Sequence, residues 1–262
     1  MSIDDFNGDL LSRAGVVRRV CPVFFLLDCS GSMSGLPIGA VNSAMEDILP
    51  KLAEMNANNP DAEMKVAILK FGGDKFGYDV AEWVTGNDGL VELEGYRWEN
   101  YLEANGGTPM GEAFGKLNKA LSVKDGFMKR ASGSVAPVLF LLSDGCPTDE
   151  ALVEVNLQKL KQNNWYKLAI RVAVGYGDYD RNTLVKFTQN EETVLETNDP
   201  NVLAKKIKFV VVRSSMVASR GSSSINTDKN MSNTDKVAEE IKNFGPETAT
   251  DVNGAIDVDE EW

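Results

Sequence analysis

The 262-residue sequence contains no histidine and only three cysteines, and both shortages exclude classes of chemistry. Without histidine there is no imidazole general base, no Ser-His-Asp or Cys-His pair and no His-ligated zinc. Cys21, Cys29 and Cys146 form no CxxC pair, so the sequence predicts neither a zinc ribbon nor a disulfide framework. Such sparse use of cysteine is typical of a reducing compartment.

Positive charge and long apolar runs are also scarce. The chain has 27 basic and 39 acidic side chains, a net charge of −12, which argues against binding to nucleic acid and favours cations or basic surfaces of partner proteins. Its most apolar stretches, residues 23–27 and 138–142, are too short to cross a bilayer. The acidic start, MSIDDFNGDLLSRAG, does not resemble a secretion signal. We therefore expect a cytoplasmic protein that does not bind membranes.

The charge distribution divides the chain into three parts. Residues 214–262 hold 10 acidic and 4 basic side chains, a net charge of −6 in less than a fifth of the length. The sequence predicts an N-terminal segment (1–17), a domain (18–213) and a polar acidic tail (214–262). Within the tail, Val237, Ile241 and Phe244 fall at helical spacing and predict a short helix near 235–244.

Strand-like and helix-like segments alternate within residues 18–213. Continuous apolar runs predict buried strands at 23–27 and 138–142. Further strands are predicted at 64–71, 168–174 and 194–195, with a partly exposed hairpin over 79–93. Apolar residues three or four apart predict helices at 38–55, 109–121, 149–160, from Asp180, and at 200–210. Pro50 is expected to kink or end the first helix. This alternation predicts an α/β fold, a doubly wound and mostly parallel sheet flanked by helices.

Three polar clusters follow the predicted strands or precede the predicted helices. They are residues 28–32 (DCSGS), 106–109 (GGTP) and 143–145 (SDG). Because ligands bind at the carboxyl ends of parallel strands, these clusters are expected to converge there. Their carboxylates and hydroxyls suit a hard cation, Mg²⁺ or Mn²⁺. Hydroxyl ligands are neutral and leave such an ion able to accept a carboxylate from another molecule. Each cluster taken alone also fits simple helix capping, with Thr108 and either Thr148 or Asp149 as caps.

The order D-x-S-x-S, G-G-T-P and S-D-G resembles the metal-ion-dependent adhesion site (MIDAS) of von Willebrand factor type A (VWA) domains. The pieces DCSGSM, GGTPMGEA and LLSDGCPTD further resemble the bacterial, TerY-like branch associated with tellurite-resistance and stress operons. The resemblance implies a Rossmann-like VWA fold over about residues 18–213. It also implies that Ser30, Ser32 and Thr108 contact the metal, while Asp28 and Asp144 bind it directly or hold its waters.

The same resemblance implies a non-enzymatic module that binds a protein partner presenting an Asp or Glu to the metal. A kinase and phosphatase pair of a stress or defence signalling set is the first class of partner, and an AAA+ ATPase assembly is the second. The tail lies outside the resemblance.

Several alternatives remain at this point. An Mg²⁺-dependent phosphatase of the haloacid-dehalogenase type also places Asp after its first strand, but Ser30 stands where that chemistry needs a second acid. A scaffold could act through the acidic tail, or the tail acids (Asp257, Asp259, Glu260 and Glu261) could occupy the metal site in cis. Cys29 and Cys146 form either a redox switch or two small buried side chains. Trp83, Trp98 and Tyr101 either line a partner-binding rim or pack in the core.

Overall fold

The computed structural model describes residues 18–86, 89–99, 101–219 and 233–242. Its centre is a seven-stranded sheet. The strands are β1 (Arg19–Cys29), β2 (Ala62–Gly73), β3 (Asp79–Trp83), β4 (Val91–Glu92), β5 (Val138–Ser143), β6 (Ile170–Tyr176) and β7 (Val194–Thr197). Their order is β3-β2-β1-β5-β6-β7, with β4 also paired to β2. The pairs among β2, β1, β5, β6 and β7 are parallel, and β3 and β4 run antiparallel to β2.

Helices cover both faces of the sheet. They are α1 (Leu36–Ala57), α2 (Met110–Ala120), α3 (Glu150–Gln162), α4 (Asn164–Leu168), α5 (Arg181–Thr188), α6 (Pro200–Ser219) and α7 (Asn233–Lys242). Short 3-10 turns lie at Gly31–Met33 and Glu191–Thr193. This mostly parallel sheet between two helical layers is the α/β architecture that the alternating sequence predicts.

Alternation along the central strands builds two separate cores. In β1, Val23, Phe25 and Leu27 point to one face, where α1, α6 and α7 pack. Phe24 and Leu26 point to the other face, where α2, α3, α4 and α5 pack. Because both faces of β1 are covered, its sequence is a continuous apolar run rather than an alternating one.

Residues 79–93 do not form the predicted hairpin. Strands β3 and β4 both pair with β2, β3 opposite Leu69–Gly73 and β4 opposite Lys65 and Val66. They therefore act as one interrupted edge strand, because β2 offers a single free edge along which both segments can bond.

The first helix does not end at Pro50. Helix α1 continues to Ala57, and its residues Ile48, Leu49 and Leu52 on either side of the proline are buried against the sheet. A proline removes one backbone hydrogen bond, and burial of this apolar face offsets that loss.

The spacing of Leu152, Val155 and Leu160 predicts the buried stripe of helix α3, and only Leu160 of these three lies in the core. Leu152 and Val155 are 41% and 50% exposed, whereas Val153, Leu157 and Leu160 are buried. Residues 153, 157 and 160 also have helical spacing, and the α2 helix that covers them decides between the two stripes.

The last helix of the predicted domain runs past residue 213. Helix α6 continues to Ser219 with Ser214 and Ser215 buried, because this turn packs in the same core as the rest of the helix. Helix α7 occupies Asn233–Lys242, close to the predicted short helix, and its Val237 is fully buried. The division of the chain at residue 213 stays a prediction. Residues 1–17 and the remainder of the tail lie outside the described residues.

Among the described residues, none of the helices combines the length and the apolar character that a membrane span requires.

Candidate metal centre

Asp28 is the last but one residue of β1 and is fully buried. Both of its carboxylate oxygens accept hydrogen bonds from the protein. The Ser30 backbone N–H donates to Oδ1 over 2.8 Å, and the Ser143 hydroxyl donates to Oδ2 over 2.6 Å. Asp28 is therefore fixed in orientation and holds the 28–32 loop against the end of β5.

Ser30, Ser32 and Asp144 form the second part of the cluster. The Ser32 and Ser30 hydroxyls donate to the same oxygen, Asp144 Oδ1, over 2.9 Å and 3.3 Å. The two serine hydroxyl oxygens lie 3.1 Å apart. Ser30 is buried and Ser32 is exposed, so the cluster opens to solvent on the Ser32 side.

The Thr108 hydroxyl, like the Ser32 hydroxyl, lies beside Gly145. A methyl group added at Gly145 would lie 3.6 Å from Thr108 Oγ1 and 3.8 Å from Ser32 Oγ, so both hydroxyls face this glycine. Within the described part of the chain, no group donates to or accepts from the Thr108 hydroxyl. All five predicted site residues thus lie at the carboxyl end of the sheet, and Thr108 keeps a free lone pair.

The capping interpretation fails for Thr108 because another residue caps its helix. The Asp149 carboxylate accepts the N–H groups of Gly111 (2.9 Å) and Glu112 (2.9 Å) in the first turn of α2. The sequence offers Thr148 or Asp149 as the cap of helix α3, but the Asp149 side chain makes no capping bond there.

A pair of threonines locks the two loops together. The Thr108 N–H donates to Thr148 Oγ1 over 3.1 Å, and the Thr148 N–H donates to the Thr108 carbonyl over 3.0 Å. The loops before α2 and α3 therefore hold Thr108 and Asp144 in a fixed relation.

The sequence does not reveal the supporting roles that four residues have in this arrangement, namely Asp79, Asn105, Ser143 and Asp149. Asp79 Oδ1 accepts the Gly107 N–H, and the Asn105 N–H donates to the Cys29 carbonyl. Gly106 has φ +70°, and a Cβ there would lie 2.6 Å from Gly73 Cα, so only glycine fits. For Ser143, the sequence signal was its place in the SDG cluster, directly after the predicted strand 138–142.

Burial disfavours the charged forms of the two carboxyl groups in the site. Burial raises the pKa of Asp28 from 3.8 to about 6, although hydrogen bonds from Ser143 and Ser30 oppose the rise and the charge of Asp144 adds to it. Burial also raises the pKa of Asp144, against hydrogen bonds from Ser32 and Ser30. Neither carboxylate pairs with a cationic side chain of the described residues. Two buried acids of this kind, beside three hydroxyls, favour the binding of a cation.

For the cysteines and the aromatic residues, the structure gives a different answer from one residue to the next. All three cysteines are free. Cys21 and Cys29 are buried, and Cys146 is exposed, so the expectation of small buried side chains is wrong for Cys146. Trp98 packs in the core, and its indole N–H donates to Asn42. Tyr101 is 57% exposed and hydrogen-bonded to Glu46.

Similar solved structures have the same fold at low identity. The vWF domain of the type V pili tip protein Mfa5 from Porphyromonas gingivalis is 10% identical, with a TM-score of 0.57 over 79% of this chain and 98% of that one. Proximal thread matrix protein 1 from the mussel byssus, with a zinc-occupied MIDAS motif, is 20% identical, with a TM-score of 0.52 over 75% of this chain and 46% of that one. The pilus adhesin SpaC from Lactobacillus rhamnosus GG is 15% identical, with a TM-score of 0.54 over 75% of this chain and 30% of that one.

This chain spans slightly less than half the length of the mussel protein. No curated protein sequence matches it. The model of the von Willebrand factor type A domain matches residues 23–208, which include most of β1, all of β5 and all five clustered site residues. The chain therefore belongs to the VWA domain family.

Proposed function

We propose that this chain is a non-enzymatic interaction module that binds a divalent cation and, through it, a protein partner. The observation that carries this proposal is the cluster of three hydroxyls and two carboxylates at one end of the sheet, where no cationic side chain from the described part of the chain pairs with the acids. Ser30, Ser32 and Thr108 would hold the ion. Asp28 and Asp144 would support it from the buried side.

The residues have distinct tasks in this proposal. Both Asp28 oxygens are engaged by protein donors, so Asp28 orients the 28–32 loop and supplies negative charge. Asp144 aligns the Ser30 and Ser32 hydroxyls by accepting a hydrogen bond from each. When bound, the ion supplies an electrophilic position that accepts a carboxylate oxygen from a partner's Asp or Glu.

The donor set favours Mg²⁺ or Mn²⁺. Every candidate ligand is an oxygen atom of a carboxylate or a hydroxyl, which hard cations prefer, and none is a sulfur or imidazole nitrogen. The mussel byssus structure with a zinc-occupied MIDAS motif supports a divalent ion in this fold.

The biological setting is also part of the proposal. The motifs DCSGSM, GGTPMGEA and LLSDGCPTD support assignment to the bacterial TerY-like branch, acting in the cytoplasm in a tellurite-resistance, stress or defence set. The proposed partner is a kinase and phosphatase pair, with an AAA+ ATPase assembly as the second class.

An enzymatic role as a phosphatase has less support. Aspartyl phosphate chemistry needs a carboxylate oxygen that can attack the substrate, and both oxygens of Asp28 are buried and hydrogen-bonded. Turnover of p-nitrophenyl phosphate with Mg²⁺, lost in Asp28→Ala, would overturn our proposal.

Direct metal binding tests the proposed site. Titration of the chain with Mn²⁺, followed by the loss of the free-ion electron spin signal, should show one site. Ser30→Ala/Ser32→Ala should weaken binding at least tenfold, and Thr108→Val should weaken it more than Thr108→Ser, which keeps the hydroxyl. Ser34→Ala/Ser122→Ala removes two hydroxyls outside the cluster and should bind like wild type. Equal affinity in all variants would contradict the assignment.

A further inference from the structure

Residues 113–143 carry five cationic side chains and a single acidic one, Asp125, in a chain of net charge −12. Four of the cations, which we call the basic surface, are exposed: Lys119, Lys124, Lys129 and Arg130. None of these four makes an ion pair with a described residue. This surface is therefore available to an anionic segment.

The basic surface lies at the amino end of the sheet, opposite the candidate metal centre. Residues 121–137 connect the end of α2 to the start of β5, and they are tied to the start of β1. The Val20 N–H donates to the Gly133 carbonyl over 2.9 Å, and the Val135 N–H donates to the Val20 carbonyl over 2.9 Å. The charges of the domain are thus separated, with the site acids at one end and these cations at the other.

A cleft of about 230 Å³ adjoins the basic surface. Trp83 and Phe127 pack against each other, with ring centroids 5.0 Å apart, and form an aromatic wall of the cleft. Lys116, Lys119 and Asp125 also line it. Lys116 is engaged by the Ala81 carbonyl and Glu112, which leaves Lys119 as the free cation at the rim. The cleft suits an aromatic side chain with acidic neighbours.

The described chain also ends at the amino end of the sheet. In α7, the Thr234 hydroxyl donates to the carbonyl of Ala169, just before β6, over 3.4 Å. Lys242, the last residue of the helix, pairs over 2.6 Å with Glu192, just before β7. Helix α7 therefore ends at the same end of the sheet as the basic surface.

The composition of residues 243–262 complements both the cleft and the basic surface. They contain six acidic side chains, no lysine or arginine, and a tryptophan, Trp262, directly after the run DVDEE (257–261). Twenty residues reach up to about 65 Å when extended. A sheet of six strand positions is only about 25 Å wide, so the segment is long enough to cross from β7 to β3.

We propose that the acidic segment 257–262 binds the basic surface of its own chain, with the Trp262 indole in the cleft, against the wall formed by Trp83 and Phe127. Exposed ion pairs are individually weak and are screened by salt, so the contact is reversible. Tethering raises the effective concentration of the segment at the surface, which makes a weak contact populated. This inference does not depend on metal binding.

The test uses the ¹⁵N-labelled full chain. The indole N–H resonance of Trp262 is identified by its loss in Trp262→Phe, and its position is compared at low salt and at about 0.5 M NaCl. We expect a shift between the two salts in wild type. Lys119→Glu/Lys124→Glu should place the low-salt resonance at the high-salt position. Lys75→Glu/Lys186→Glu changes the net charge equally, at exposed lysines outside the surface, and should leave it in place.

A charge swap provides the second measurement. Asp259→Lys/Glu261→Lys in the Lys119→Glu/Lys124→Glu chain should restore the wild-type resonance position. A resonance unaffected by salt, or moved equally by both lysine pairs, would overturn the proposal. A shift that grows with protein concentration would assign the contact to a second copy. A shift that responds to EDTA and is lost in Ser30→Ala/Ser32→Ala would place the segment at the metal centre instead.

Discussion

The Ser143 hydroxyl donates a 2.6 Å hydrogen bond to Asp28 Oδ2, and both residues are fully buried. Because β1 and β5 are neighbouring parallel strands, this bond joins their carboxyl ends. It connects the first and third polar clusters of the sequence behind the exposed hydroxyls. The site therefore has a buried layer that orients the groups facing solvent.

Replacing Ser143 with alanine should destabilise the domain by about 1–3 kcal/mol, because a buried carboxylate loses a hydrogen-bond donor. Urea unfolding followed by circular dichroism measures this change. Mn²⁺ affinity should also fall, although none of the candidate ligands is altered. Ser34→Ala, which removes an exposed hydroxyl, should change stability by less than about 0.5 kcal/mol. Equal stability of the two variants would show that the Ser143 bond contributes nothing.

The burial of Asp28 should make stability depend on pH when metal is removed. Its pKa is about 6 in the folded chain against 3.8 when unperturbed, so the folded state binds more protons between these values. The free energy of unfolding should then fall as pH rises from about 4 to about 6, by roughly 2 kcal/mol over this interval if Asp28 acts alone.

Asp28→Asn isolates this effect, since the amide keeps the shape and loses the charge. With EDTA present, wild type should become less stable than Asp28→Asn on passing from pH 4 to pH 7, measured by urea unfolding at each pH. If the free energies of unfolding of the two proteins changed in parallel with pH, burial would not raise the pKa of Asp28.

Asp149 stabilises α2 across the interface with α3. Asp149→Ala leaves the N–H groups of Gly111 and Glu112 without their acceptor, so a loss of about 1–2 kcal/mol is expected. Asp149→Asn retains an acceptor and should lose less. Mn²⁺ affinity should fall in Asp149→Ala, since Thr108 lies two residues before Met110, the first residue of α2. A Mn²⁺ affinity equal to that of wild type would show that the capping bonds of Asp149 do not influence the metal site.

Replacing each of two helical glycines with alanine should change the stability of the domain in opposite directions. At Gly111 a Cβ would lie 2.4 Å from the Val153 backbone nitrogen, so Gly111→Ala should push α2 from α3 and cost more than about 1 kcal/mol. At Gly39, exposed in α1, nothing lies within 4 Å of the added Cβ, and alanine should stabilise by about 0.5–1 kcal/mol. Thermal unfolding measures both changes, and the same sign at both positions would contradict the packing argument.

The α/β architecture follows from features that the sequence carries locally. Buried strands such as Val138–Ser143 are continuous apolar runs, because both faces of a parallel sheet are covered. The candidate ligands could be predicted for a similar reason. Asp28 and Asp144 directly follow or end such strands, and parallel strands bring their carboxyl ends to one edge.

Other features depend on neighbours that local patterns do not specify. The sequence offered both Thr148 and Asp149 as caps for α3, and the structure uses them instead to hold Thr108 and the start of α2. The stripe of α3 that is buried was ambiguous for the same reason, since α2 selects it.

The sequence by itself determined the order of strands and helices and the oxygen-rich composition of the site, because burial and ligand chemistry depend on residue type. Tertiary structure alone decided that Ser143 fixes Asp28, that Asp149 caps α2, and that β3 and β4 share one edge. These are hydrogen bonds and pairings between segments up to 115 residues apart, and their partners are chosen only when the chain is folded.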